Sequence, residues 1–328
     1  MFPLFMKFGP FSVFGWTIGP HEIHWYGVLI TIGFLLGVAL AMREGKRNNF
    51  NPDDILDFSF WVLLAGLIGS RVVFDVVNWK MYYDACYNPA VLGLDAPDCT
   101  RVFRFWEGGL VWYGGLLGAF PVAYWYLRRK KMPFFKTADV VIPSVSLGHA
   151  FGRLGCYAAG CCFGRPTDSP LGVSFPPDSM AAQAQASSAS LNEIASHYTG
   201  SIPIHPTQLY ESFGEFAIFL FLVFARRRKR FHGQLFLTYL ILYPLLRTVV
   251  ELFRGDHARG YLIKWTTTQT FNGKTIIDEN GLSTSEIISA AVALSALITI
   301  FIIIKKRKSR ACGTPSESAS TDGNKTAQ

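Results

Sequence analysis

Charge is what this sequence has least of. Only 16% of its 328 residues are Asp, Glu, Lys or Arg, against 50% hydrophobic, and the mean hydropathy is +0.25. A soluble chain of this length needs more charge to cover its surface, so composition argues against a soluble class. Basic residues interleaved with aromatics along one face are also lacking, so the net charge of +8 does not describe a nucleic-acid surface. No basic stretch followed by a small-residue cleavage site opens the chain, and no cleavable signal is expected. Nor does any repeat of roughly 20–50 residues recur, which favours one domain. The inverted repeats and mid-bilayer helix breaks of a transporter are not evident either.

What the chain has instead is long apolar runs. A spanning helix needs ~20 mostly apolar residues. Seven segments qualify: 25–42, 58–77, 110–127, 138–151, 208–225, 234–253 and 287–304. The fourth is short and carries Ser144, Ser146 and His149. Stretches 43–47, 128–136, 226–230 and 305–310 hold 3, 5, 5 and 5 Lys/Arg, 18 of the 31 in the chain. If every segment crosses, all four stretches fall on one side, which the positive-inside rule makes cytoplasmic. The expected fold is an all-α, polytopic membrane helical bundle of about seven transmembrane helices, N-terminus outside and C-terminus cytoplasmic. Residues 1–310 form a single transmembrane domain with outer-face loops at 78–109, 152–207 and 254–286. Residues 311–328, rich in Ser, Thr and Gly, are expected to be a disordered cytoplasmic tail. Residues 1–20, apolar but broken by Gly9, Pro10, Gly15 and Gly19, read as an interfacial lead-in. Residues 180–201, rich in Ala, Ser and Gln, read either as a mobile loop or as a short surface helix.

Ionisable groups inside a bilayer are expensive and point to function by default. Arg71 and Asp75 lie one turn apart and can pair on one helix face. Arg247, Glu251 and Arg254, at spacings of four and three, share one face near the outer end of the sixth segment, with Tyr243 a turn further back. Glu251 can hold either arginine, leaving the other for an anion. After the fourth segment, Gly152-Arg153-Leu-Gly155-Cys156 leads through Gly160-Cys161-Cys162 to Gly164-Arg165-Pro166-Thr167. Its glycines permit close backbone approach, and its arginines suit a loop wrapped around an anionic headgroup. His205-Pro206-Thr207-Gln208 with Tyr210 and Glu211 makes a helix start with a polar face. Trp112 and Tyr113 suit an interface, amid glycines that let helices pack closely.

In order along residues 20–305, these pieces resemble the prolipoprotein diacylglyceryl transferase family. The match runs from His24-Trp25-Tyr26-Gly27 through Gly108-Gly109 and Gly114-Gly115, the 152–167 segment and 205–211, to Tyr243, Arg247, Glu251 and Arg254. The resemblance implies a bacterial cytoplasmic (inner) membrane enzyme, multi-pass, with its active site toward the outer, periplasmic face. It would move the diacylglyceryl group of phosphatidylglycerol onto the lipobox cysteine thiol of a prolipoprotein signal peptide, releasing glycerol phosphate. The resemblance implies essential arginines at Arg153 and Arg247 and important tyrosines at Tyr26 and Tyr243; with Tyr113 and Glu251, Arg153, Arg247 and Tyr26 make the expected catalytic set. Arg153, Gly164, Arg165, His205, Gln208, Tyr210, Glu211, Tyr243 and Arg254 bind substrate. Partners are phosphatidylglycerol, prolipoprotein signal peptides and membrane lipids; no nucleic acid, no cofactor and no metal are expected, and the protein is read as a monomer.

Two departures from the family pattern stand out. Tyr113 occupies the place of a histidine proposed as general base, and tyrosine is a poor base at neutral pH unless a guanidinium lowers its pKa. Cys156 and Cys161, with Cys162 beside them, replace an asparagine and a glutamate. The three can form a disulfide from Cys156 to Cys161 or Cys162, a vicinal disulfide or metal site, or a catalytic or redox thiol. Cys86 and Cys99 share one outer loop and are expected to form a disulfide. Two other functions compete with the transferase. One is a divergent relative using these thiols or another lipid acceptor, and the other a non-catalytic phospholipid-binding or transport protein.

Overall fold

Lipid offers the backbone no hydrogen bonds, so an apolar run that enters it must satisfy its own N–H and C=O groups. Each of the seven apolar segments lies on a helix. The computed structural model describes residues 4–8, 11–13, 16–18, 21–93, 96–104, 108–188, 191–255, 261–271 and 274–312. Four short strands come first: β1 (Leu4–Phe8), β2 (Phe11–Val13), β3 (Trp16–Ile18) and β4 (His21–His24). Helices α1 (Trp25–Arg47) and α2 (Pro52–Val77) follow, then the short α3 (Trp79–Tyr87) and two 3-10 turns, Pro89–Leu92 and Cys99–Phe103. Next come α4 (Trp112–Arg129), α5 (Phe134–Ala159), the short α6 (Met180–Ser187) and α7 (Asn192–Ala195), α8 (Thr207–Ala225) and α9 (Gln234–Glu251). Strands β5 (Tyr261–Phe271) and β6 (Lys274–Ser283) precede the last helix, α10 (Thr284–Cys312).

Among the described residues, four helices are long and apolar enough by themselves to cross a membrane: 25–47, 52–77, 207–228 and 286–306. The packing is inside-out relative to a soluble protein. Phe224 and Val76 are 70% and 66% exposed, while Glu215 and Arg153 are 0% and 9% exposed. An apolar rim around a polar interior is the arrangement a bilayer selects.

Helix α1 packs on α5, α2 on α4, and α5, α8 and α9 on one another, with α10 against α9. Small residues set the close approaches. A Cβ on Gly37 would sit 3.2 Å from the Ser144 carbonyl of α5, and one on Gly69 would press into the backbone of Gly114 and Gly118 on α4. At one end of the bundle, Lys130 reaches Asp54 at 2.6 Å and Arg226 reaches Glu44 at 2.7 Å. At that end Asp139 also accepts from the backbone N–H groups of Gly233 (2.7 Å) and Phe236 (3.0 Å), capping α9. The other end is held by Arg71, which pairs with Asp75 at 3.1 Å and donates to the carbonyls of Arg101, Val102 and Gly108.

Several expectations change. The chain is mostly helical, as expected, but three small antiparallel pairings, β1–β4, β2–β3 and β5–β6, accompany the helices, so the region read as the loop 254–286 holds two strands and the lead-in three. Their β-branched and aromatic residues fit a pleated ribbon. The region read as the loop 152–207 begins as helix, because α5 runs on to Ala159 and stops where Gly160 takes φ +68. That left-handed residue turns the chain out of the helix. Arg153, Gly155 and Cys156 are therefore helical. The loop 78–109 contains α3, and 180–201 contains α6 and α7. Of the expected tail, residues 311–312 are helical, while 313–328 lie outside the described residues.

Candidate active site

Helices α5, α8 and α9 bring a set of ionisable side chains into the interior. Arg153 Nη2 lies 2.8 Å from Glu211 Oε2, across from α5 to α8. One turn before Arg153, His149 places Nδ1 2.7 Å from Glu215 Oε1 and Nε2 3.6 Å from Glu211 Oε1. Glu215 also accepts from Ser146 Oγ at 2.6 Å and from the Tyr239 hydroxyl of α9 at 3.2 Å. Tyr243 stacks on Tyr239 (centroids 5.7 Å apart, 8° between planes), and its ring lies 5.2 Å from that of His149. Buried charges persist only when paired and hydrogen-bonded; Glu215 is both, and Glu211 is paired with Arg153. Arg153 Nε, however, is buried with no hydrogen-bond acceptor among the described residues.

Arg247, 8% exposed, pairs with Glu251 at 2.5 Å along α9. Arg254 departs from the expected shared face. Helix α9 ends at Glu251, and Arg254 lies beyond it, its backbone bridged to Gly164. The segment after α5 is tied into this end by backbone bonds: Gly164 N–H to His205 O (3.0 Å), Arg165 N–H to Phe253 O (2.9 Å) and His205 N–H to Arg165 O (2.9 Å). Arg165 Nε adds a bond to the Arg254 carbonyl at 2.8 Å. Gln208 and Thr207, at the start of α8, hold the Cys161 and Cys162 carbonyls at 2.7 and 2.9 Å. A Cβ on Gly164 would collide with the carbonyls of His205 and Phe253, so only glycine fits.

His205 Nδ1 contacts the Tyr210 hydroxyl at 3.1 Å. Burial, then the positive charge of Arg165, holds its imidazole below the ordinary histidine range, so the neutral ring is favoured. The Sγ atoms of Cys156, Cys161 and Cys162 lie within 4.8 Å of one another, with Arg153 Nη1 3.9 Å from Cys156 Sγ. All three are free thiols, whereas Cys86 and Cys99 are joined by a disulfide. Hydrogen bonding among the thiols holds Cys162 low and Cys161 high, with Arg254 and Arg153 also lowering Cys162. Tyr26, at the start of α1, lies against Gly155, where an added Cβ would come within 3.1 Å of its ring. With Gly27, Ala158, Gly160, Phe175 and Met180 it lines a mostly apolar cavity of about 760 Å³.

The structure thus gathers Arg153, Glu211 and Tyr243 into one interior cluster, and Gly164, Arg165, His205, Tyr210, Gln208 and Arg254 into the strap beside it. Tyr113 is placed elsewhere, half exposed on the first turn of α4, edge-on to Trp112 at 5.3 Å, on a helix that packs against α2. His149, Glu215, Ser146 and Tyr239 were not among the expected site residues. The signal for Glu215 was present, as a carboxylate inside an apolar run.

What the cluster can do chemically follows from its guanidiniums. Fixed forks in a water-poor interior bind phosphate oxygens bidentately and stabilise charge that grows on them. The family model for prolipoprotein diacylglyceryl transferase matches residues 14–302. A phosphatidylglycerol–prolipoprotein diacylglyceryl transferase of Clostridium tetani is 32% identical over 256 residues, 78% of this chain and 90% of the relative. The enzyme of that name from Lactiplantibacillus plantarum is 33% identical, covering 73% of this chain and 77% of its own. That from Halalkalibacterium halodurans is 29% identical, covering 94% and 92%. A family match along most of the chain, carried by relatives of nearly its own length, means that this protein belongs to the prolipoprotein diacylglyceryl transferase family.

Proposed function

We propose that this multi-pass bacterial membrane protein transfers the diacylglyceryl group of phosphatidylglycerol to the lipobox cysteine thiol of prolipoproteins. The substrate's sulfur, as thiolate, attacks the glyceryl carbon that bears the phosphate. The C–O bond breaks with its electrons going to the phosphate oxygen, and glycerol phosphate leaves. The thiol proton passes to a base or to water. A phosphodiester becomes a monoester in this step, so charge grows on the leaving phosphate.

The observation that carries the reading is Arg153, buried, oriented by Glu211, and still offering the N–H of Nε. In this reading Arg153 takes the phosphate and Arg247, braced by Glu251, assists it. Tyr243 and Tyr26 flank the reacting groups, and Glu211 and Gln208 hold helix and strap in register. Gly164, Arg165, His205, Tyr210 and Arg254 form the wall that the headgroup meets. The apolar cavity beside Tyr26 suits an acyl chain or an apolar signal-peptide segment. Tyr113, at the head of α4 and apart from this cluster, is assigned no proton transfer.

The reading includes seven crossings by α1, α2, α4, α5, α8, α9 and α10, in the inner membrane, as a monomer. The gathering of Lys130, Arg226 and Lys229 at one end of the bundle supports that end as cytoplasmic. Arg153 and the strap then face the periplasm. Membranes containing the protein, phosphatidylglycerol and a lipobox peptide test this. The peptide gains a diacylglyceryl mass, and the gain disappears with Arg153→Ala or Arg247→Ala. Unchanged transfer by either variant refutes the assignment.

A further inference from the structure

Cys156, Cys161 and Cys162 take no part in the step described above, yet their sulfurs converge. All three Sγ atoms lie within 4.8 Å of one another, and none is in a disulfide. A disulfide would use two and strand the third, whereas three sulfurs around one point can share a cation. The cradle is held from outside. Cys162 adopts φ +60, a left-handed conformation uncommon for a residue with a side chain. Thr207 Oγ1 and Gln208 Nε2 bond the Cys162 and Cys161 carbonyls at 2.9 and 2.7 Å, which fixes that turn against the buried start of α8. Cys156 is carried on the last turns of α5, next to the Gly160 that lets the chain fold back.

The surroundings suit a soft metal ion. Thiolates select d10 cations, and no carboxylate or imidazole joins the three sulfurs among the described residues, which argues against a hard cation. A Zn–S bond of about 2.3 Å sets neighbouring sulfurs about 3.8 Å apart, so the cluster needs to close by at most about 1 Å, within reach of side-chain rotation. Three thiolates around a monovalent or divalent cation keep a net negative charge. Arg153 Nη1, 3.9 Å from Cys156 Sγ, stands where it offsets that charge. Cys161 and Cys162 also line a cavity of about 470 Å³ with Met180, Gln185, Leu191 and Gly255, which gives the ion an entry and leaves one position open.

We propose that Cys156, Cys161 and Cys162 form a three-sulfur site for a thiophilic d10 cation, Zn²⁺ or Cu⁺, with its remaining position open to the adjoining cavity. The test uses the purified full-length chain in detergent, treated with a non-thiol reductant, loaded with Zn²⁺ or with Co²⁺ as an optical probe, and desalted. The expected result is one metal ion per chain and a thiolate-to-cobalt charge-transfer band. Cys156→Ser, Cys161→Ser and Cys162→Ser each weaken retention at least tenfold, while Cys312→Ser changes nothing. Absence of the charge-transfer band in the unaltered protein overturns the proposal without reference to any variant. So does equal retention by the triple serine variant. Because the readout is metal and spectrum, it succeeds or fails independently of the transferase assay.

Discussion

Arg153 and Glu211 meet at 2.8 Å across the interface of α5 and α8, both nearly excluded from solvent. Glu211 fixes where the guanidinium points, and the guanidinium is what the proposed chemistry requires. Arg153→Lys keeps the charge but replaces the planar fork with a point cation. Transfer to a lipobox peptide should fall by about 100-fold or more, the scale of losing a preorganised donor to a developing anion. Initial rates at saturating phosphatidylglycerol check this, and a fully active lysine variant would show that bidentate geometry is not needed.

Glu215 is a structural anchor for the same cluster, taking Ser146, His149 and Tyr239 onto one carboxylate. Glu215→Ala leaves the buried Tyr239 hydroxyl without this acceptor and His149 without this carboxylate, while Ser146 keeps the backbone carbonyl of residue 215, and should cost about 3 kcal/mol. Tyr239→Phe removes one bond and should cost about 1 kcal/mol. Unfolding midpoints in detergent separate the two, and the account requires the larger shift from Glu215→Ala.

Gly164 has no room for a methyl group, since two backbone carbonyls, His205 O and Phe253 O, occupy the space. Gly164→Ala should push the strap out of register and lower activity at least tenfold, the usual consequence of misplacing a binding group. A Cβ on Gly66 of α2 makes only ordinary van der Waals contacts, at 3.7 and 3.8 Å, so Gly66→Ala serves as the control and should stay near wild-type activity.

His205 supplies a pH dependence. Its folded pKa is below the ordinary value of about 6.5, through burial first and Arg165 second. Between those two values the unfolded chain binds the proton and the folded chain does not. Stability from this residue is therefore fully present above pH about 6.5 and is lost as pH falls through that value toward the folded pKa. Comparing wild type with His205→Gln across that window should show the wild type losing more stability on acidification. An identical pH response in the two proteins would contradict it.

The Cys86–Cys99 disulfide closes a segment with a sequence separation of 13 beside α3. Restricting the unfolded chain over a loop of that size is worth about 3 kcal/mol. The double variant Cys86→Ser, Cys99→Ser should lower the unfolding free energy by about that amount, measured by denaturant titration.

Much of this was legible in the sequence, for reasons that differ by element. The seven apolar segments fell on helices because hydrophobic runs of spanning length have one low-energy backbone solution in lipid. Arg71 with Asp75 and Arg247 with Glu251 were readable because a spacing of four residues puts them on one helix face. The β5–β6 ribbon was not foreseen, although Thr266, Thr267 and Thr268 on one side and Ile276 and Ile277 on the other flank an Asn-Gly pair, a hairpin signal. Its place between two apolar segments reads only as an outer connection. The end of α5 was set too early, since hydropathy fades at Arg153 while the helix continues into a polar interior as far as Gly160. Contacts such as His149 with Glu215 join residues 66 positions apart, and only the packing of α5 on α8 reveals them.

The central claim is that one thioether forms for each glycerol phosphate released, at a centre organised by Arg153. Purified protein in detergent, with phosphatidylglycerol carrying a labelled headgroup and a lipobox peptide, allows both products to be counted in one reaction. The account predicts equal amounts of diacylglyceryl peptide and labelled glycerol phosphate, none of either with a Cys→Ser peptide, and loss of both with Arg153→Ala. Headgroup release that proceeds without peptide modification, or equal yields from the Arg153→Ala protein, would contradict it.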